Sequence, residues 1–352
     1  MIPVSITSGS RPSTRRLTST GVSVCLALLA AACGAGEGTA PQGGLDLPTR
    51  AAAATATAAS STNACAPIQP FYWEIGDATG RLAAGSVPSN NGNPTYTSTT
   101  LMPIASASKW LYGAYVVQLR QGQLSDSDIT FLNFRSGYTH FTSCLSNQTV
   151  DECVAYDSNG VHSDAADGRF SYGGGHMEKH ASLIGLGSLD NAGLADALRS
   201  QLGSDLKPLA YTQPQLAGGV ATNADTYAKF LRRILSGGLL MKAALGTHAV
   251  CTNPATCAEA INTPVPQTES YHYSLGHWVE DDPANGDGAF SSAGAFGFYP
   301  WIDASRSWCG IVARVDMSGT SDPGNPDAAG HGFESAKCGQ LIRSAWISGV
   351  SR

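Results

Sequence analysis

The sequence predicts an α+β fold, an antiparallel sheet flanked by helices with a mainly helical lobe inserted in the middle. Two observations carry this expectation. β-like runs lie near residues 71–86 and again at 271–279, 295–303 and 308–316, whereas the helical signals fall between them and at the C-terminal end. Strands near both ends with helices between them make an α+β layout.

Taken in order, residues 1–33 carry Arg11, Arg15 and Arg16 without an acidic residue, then the apolar run Val22 to Ala32, then Cys33-Gly34. This is the layout of a signal peptide, and the run is short of the roughly 20 apolar residues that a membrane-spanning helix needs. Leu29-Ala30-Ala31-Ala32-Cys33 resembles a bacterial lipoprotein cleavage box, which implies membrane attachment through a lipidated Cys33. The expected location is the cell envelope or periplasm, or secretion. Residues 34–66 are rich in Ala, Thr and Gly with few large apolar side chains, and read as a disordered tether. Residues 67–352 then form one folded domain.

Within that domain, Phe71 to Ser86 reads as two strands around a turn at Asp77 to Gly80. A helix is expected from Ser106 through the apolar stretch Trp110 to Val117, ending near Gly122. An amphipathic helix starts at Asp225, aligns Tyr227, Phe230, Leu231, Ile234 and Leu235 on one face, and stops at Gly237-Gly238. The three later β-runs follow, and a helix over Ser335 to Ile347 closes the chain.

Net charge is −6 with 21 basic residues, so no nucleic-acid footprint is visible. Beyond Cys25 and Cys33 the exported part keeps Cys65, Cys144, Cys153, Cys251, Cys257, Cys309 and Cys338. Cys144/Cys153 and Cys251/Cys257 flank short polar loops and would close small rings in an oxidising compartment. Cys309 with Cys338 is the expected third bridge, leaving Cys65 unpaired, although an odd count lets Cys65 replace either partner. Zinc ligation is set aside, because no two CxxC-type pairs exist.

The chemistry centres on Ser106 and Lys109, three residues apart at the start of the first helix. At that spacing the two side chains share a face, and the helix N-terminus places unpaired N–H groups beside the hydroxyl. The same spacing recurs at Ser204/Lys207, where Pro208 removes the helix that would align the pair.

Further along, Tyr172 lies in the glycine-rich segment Ser171-Tyr172-Gly173-Gly174-Gly175-His176. Leu216-Ala217-Gly218-Gly219-Val220-Ala221-Thr222 leads into the amphipathic helix, Tyr273-Ser274-Leu275-Gly276-His277-Trp278 forms a strand, and Ser292-Ala293-Gly294-Ala295-Phe296-Gly297 follows. In order and spacing these segments resemble the motifs of the serine β-lactamase and penicillin-binding-protein superfamily, in the tyrosine form of class C β-lactamases and their esterase and peptidase relatives. The resemblance spans roughly residues 70–345. It implies a β-lactamase/transpeptidase-like fold and acyl transfer through a Ser106 acyl-enzyme. Lys109 and Tyr172 would share the general-base and general-acid work, the tyrosine with a lowered pKa beside the ammonium, and the N–H groups of Ser106 and Ala295 would form the oxyanion hole.

Two departures bear on substrate. The family's third motif begins with lysine or histidine, a cation for the substrate carboxylate, and here Ser292 stands there. The asparagine two residues after the motif tyrosine is replaced by Gly174. Both point to esters or small amides, as in the carboxylesterase and aminohexanoate-dimer hydrolase branches. The alternatives are a β-lactamase or D-alanyl peptidase, or an envelope binding protein without turnover. Gly174, His176, Ser292, Gly294 and Phe296 are the expected substrate-binding residues. His176 and His180 stand four apart on one helix, but without the zincin order no metal is assigned, and no cofactor is expected.

Overall fold

The computed structural model describes residues 44–89, 95–318 and 330–352. The expected signal peptide, Cys33 and the first part of the expected tether lie outside the described residues. Along the chain, helix α1 (Leu47–Ala58) precedes the hairpin β1 (Phe71–Gly76) and β2 (Arg81–Val87), and strand β3 (Met102–Pro103) leads into α2 (Ser108–Leu119). The lobe comprises α3 (Asp126–Leu132), α4 (Val150–Ala155), β4 (Phe170–Ser171), α5 (His176–Ala181) and α6 (Asn191–Leu202). Strands β5 (Leu209–Tyr211) and β6 (Val220–Thr222) return to α7 (Ala224–Ser236) and α8 (Met241–Ala244). The chain then forms β7 (Val250–Cys251), β8 (Ala260–Asn262), β9 (His272–Ser274), β10 (His277–Glu280), β11 (Ala289–Ser291), β12 (Tyr299–Ile302), β13 (Cys309–Ala313) and α9 (His331–Ser348).

Eight strands make one antiparallel sheet in the order β2-β1-β13-β12-β11-β10-β9-β7, so the N-terminal hairpin joins the C-terminal strands through β1 and β13. The expected α+β architecture is what the chain adopts. Alternation along the strands divides the interior in two. On β13, Cys309, Ile311 and Ala313 enter the larger core shared with α2 and α7, whereas Val312 enters the core beneath α1 and α9. The amphipathic helix ends as read: Asn223 caps α7 by accepting from Thr226 N at 2.9 Å, and Gly237 takes the left-handed conformation after its last turn.

Three expectations need correction. The segment expected to be tether folds over Leu47–Ala58, where Asp46 caps α1, and Ala54 and Ala58 pack in the core that α9 shares. Arg50 Nη1 donates to the Trp346 carbonyl at 2.8 Å. Alanine, poor in buried area, is the best helix former, and its small side chain lets two helices approach closely. The third disulfide joins Cys65 to Cys338, and Cys309 is the free, buried cysteine. Cys309 and Cys338 lie in different cores on opposite faces of the sheet, while Cys65 shares the core of Cys338. Cys144–Cys153 and Cys251–Cys257 pair as expected. Finally, the run at 271–279 is a hairpin, broken where Leu275 and Gly276 both take positive φ. Among the described residues no helix is long and apolar enough to cross a membrane.

Candidate active site

Ser106 sits in the single 3-10 turn Ala105–Ala107 between β3 and α2. Ala105 just before it has φ +44°, a left-handed conformation that a non-glycine residue adopts at a cost and that surrounding contacts must hold. Those contacts come from three directions. Ile104 N donates to the Val220 carbonyl at 3.0 Å, Tyr227 Oη to the Ala107 carbonyl at 2.8 Å, and Ser292 Oγ to the Ser106 carbonyl at 3.1 Å. Gly294 approaches so closely that a Cβ there would lie 2.1 Å from the Ile104 carbonyl oxygen. Glycine is required at that point by backbone contact with the turn.

Lys109 follows one turn later and is buried. Its Nζ lies 2.8 Å from Ser106 Oγ and 2.8 Å from the Ala217 carbonyl oxygen, and sits over the Tyr172 ring at 4.9 Å. Burial pushes the ammonium down to about 8, against the opposing pull of Glu178. A lysine with this proton affinity is partly neutral near pH 8. Its free lone pair then meets the Ser106 hydroxyl while one N–H remains on Ala217.

Tyr172 is fixed beside the pair from the lobe. Its N–H donates to the Asn262 carbonyl at 2.9 Å, and Asn262 Nδ2 donates back to the Tyr172 carbonyl at 3.0 Å. The ring stacks on Trp278 with centroids 5.1 Å apart. Its hydroxyl hydrogen-bonds to both Ser106 and Trp278, yet burial pushes it up to about 12. The lowered phenol expected from sequence is therefore not what the site provides. The lysine lies over the ring face, and desolvation outweighs the hydrogen bonds.

A cleft of about 130 Å³ opens at Ser106 and Tyr172, walled by Pro264, Ala293, Ala295, Gly330, Gly332 and Phe333. Ser106 and Ala295 both border it, and among the described residues neither N–H is taken by a main-chain carbonyl. The five expected substrate-binding residues do not line it. His176 is buried between Ser136 Oγ, at 2.7 Å from Nδ1, and the Ser171 carbonyl, and stacks on Phe134. Gly174 turns at φ +71° against the Tyr138 carbonyl, Phe296 accepts from Asp316 N through its carbonyl, and Ser292 and Gly294 brace the Ser106 turn. His180 pairs with Asp128 and Tyr112 instead of joining His176 in a metal site.

Sequence reading missed Phe333, Gly330 and Gly332, because the start of α9 reaches the cleft only through tertiary packing. It also passed over Glu178, lying between the two histidines. No local signal marked it, because its burial beside His176, Met177 and His180 emerges only from the fold.

No family model matches the chain, and no curated protein aligns with it significantly. Solved structures do. The D-amino acid amidase from Ochrobactrum anthropi SV3 superposes with a TM-score of 0.60 at 12% identity, covering 85% of this chain and 100% of that one. EstCE1, described as a hydrolase with promiscuous acyltransferase activity, gives 0.59 at 12% identity over 86% and 98%. The octameric penicillin-binding protein homologue from Pyrococcus abyssi gives 0.57 at 13% identity over 87% and 78%. The chain shares with these structures a β-lactamase-like fold. In this β-lactamase-like fold Ser106 comes from the 3-10 turn before α2, Lys109 from the start of α2, Tyr172 from the lobe, and Ala295 from the turn between β11 and β12.

Proposed function

We propose that the protein is an exported serine hydrolase that cleaves ester or small-amide bonds through an acyl-enzyme on Ser106. The contact of 2.8 Å between Lys109 Nζ and Ser106 Oγ, which borders the cleft, carries this reading. Neutral Lys109 takes the Ser106 proton as Oγ bonds to the substrate carbonyl carbon. Tyr172, held protonated beside Ser106 and Lys109, relays the proton to the leaving group. The N–H groups of Ser106 and Ala295 face the developing oxyanion. Water then repeats the sequence on the acyl-enzyme.

Among the described residues the cleft is lined by apolar groups and backbone besides Ser106 and Tyr172, with no charged side chain. This supports short, uncharged acyl groups over β-lactams or D-alanyl peptides. Three disulfides fit an oxidising compartment. A fluorescent fluorophosphonate tests the reading: the wild type is expected to label and Ser106→Ala not to. An unlabelled wild type would leave a binding protein, and labelling that survives in Ser106→Ala would move the nucleophile. Capture of a fluorescent penicillin would restore the β-lactamase reading.

A further inference from the structure

Glu178 on α5 is fully buried. Its Oε1 accepts the N–H of Ala217 at 2.9 Å, and among the described residues Oε2 has no hydrogen-bond partner. The carbonyl of the same Ala217 accepts from Lys109 Nζ at 2.8 Å. One residue therefore touches the lysine with its carbonyl and the carboxylate with its amide. A buried polar oxygen left without a partner is rare and unfavourable, and calls for a reason beyond packing.

The groups that face Glu178 narrow that reason. Lys109 and Tyr112 approach from α2 and Tyr211 from β5. The Tyr112 hydroxyl is occupied by His180 Nδ1 at 2.8 Å, and His180 Nε2 lies 3.0 Å from Asp128 on α3, which Arg120 neutralises. Among the described residues the buried Tyr211 hydroxyl has no hydrogen-bond partner. From α4 come the Cys144–Cys153 bridge and the exposed Asp151 and Glu152. Lys109 is thus the cation that Glu178 meets.

We propose that Glu178 is a positioning residue for the reaction, whose carboxylate acts across Ala217 to stabilise the ammonium formed when Lys109 takes the Ser106 proton. This rests on the hydrolase reading above. In the step, the Ser106 O–H bond breaks and the proton joins the Nζ lone pair. The Oγ electron pair forms the bond to the carbonyl carbon, and the carbonyl π pair moves onto its oxygen. The new positive charge then stands opposite Glu178 and is released when the proton passes to the leaving group. Burial alone raises the proton affinity of Glu178 and lowers that of Lys109, so each partner's charge is sustained by the other.

The test is the rate of fluorophosphonate inactivation against pH for wild type, Glu178→Gln and Glu178→Asp. Glu178→Gln keeps an acceptor for Ala217 and removes the charge. Its acid limb is expected to move down by about one pH unit, because Lys109 loses the group that raises it. Glu178→Asp, which restores the charge, should bring the limb back toward the wild-type position. A Glu178→Gln limb superimposed on the wild type, with inactivation intact, overturns the proposal, since a packing role would change rate or stability without moving the limb. A wild type inert at every pH overturns the hydrolase reading first. If Glu178→Gln fails to fold, the Ala217 amide resonance of the wild type decides: it is expected to titrate with the midpoint of the acid limb, and an amide that does not move refutes the coupling.

Discussion

Glu178 and Glu280 are both buried carboxylates set opposite a buried cation, and they are treated in opposite ways. Glu280 on β10 accepts from Tyr299 Oη at 2.6 Å, from Arg343 Nη2 at 2.7 Å and from Gln340 Nε2 at 3.2 Å, and Arg343 also pairs with Asp287. Every oxygen of that carboxylate is occupied. Glu178 has one oxygen that, among the described residues, lacks a hydrogen-bond partner, and its lysine reaches it through Ala217. A saturated pair has nothing to gain from moving a proton, so it ties α9 to the sheet. A pair left short holds its protons loosely, which is what a base must do.

Breaking each pair should separate these roles. The largest effect is expected at the site: Lys109→Met should slow fluorophosphonate labelling by about 10²–10⁴-fold, the usual worth of a positioned base. Arg343→Met does the reverse. It strands Glu280 and Asp287 and should cost about 3–5 kcal/mol in urea denaturation, while folded molecules label at the wild-type rate.

Removing the Cys65–Cys338 bridge, which anchors the middle of α9, should cost about 2–4 kcal/mol in the same assay. Equal stability of Cys65→Ser and wild type would contradict that pairing. The wild-type pH profile sharpens the contrast further. Lys109 acts as base when deprotonated and is lowered to about 8, so labelling should rise with pH and level off above about 8. A flat profile between pH 6 and 9 would remove Lys109 as the base. The smallest effect is expected for Trp278→Phe, which keeps the stack on Tyr172 but deletes the indole hydrogen bond to its hydroxyl. Labelling should fall about three- to tenfold, the worth of one hydrogen bond.

Local patterns made much of this legible. The spacing of Tyr227, Phe230, Leu231, Ile234 and Leu235 marked α7, and glycine marked its end, because helix periodicity and caps are written within a dozen residues. Ser106 and Lys109 were readable for the same reason, being one turn apart. Alanine-rich α1 was not readable, since its stability depends on α9, more than 270 residues away. The Cys65–Cys338 bridge was hidden likewise, because which face of the sheet a cysteine occupies depends on strand register.

Substrate-facing residues were the least legible. Gly294 and Ser292 follow the motif in sequence, yet they serve the backbone of the Ser106 turn, and the cleft is closed by Phe333 from the far end of the chain. The sequence by itself determined the fold class, the Ser106/Lys109 pair and the presence of Tyr172 nearby, since these follow from periodicity and the order of motifs. Tertiary structure alone decided how tightly each group holds its proton and what lines the cleft. Both depend on burial and on neighbours brought from distant segments, as with Lys109, Ala217 and Glu178, whose contact no local pattern encodes.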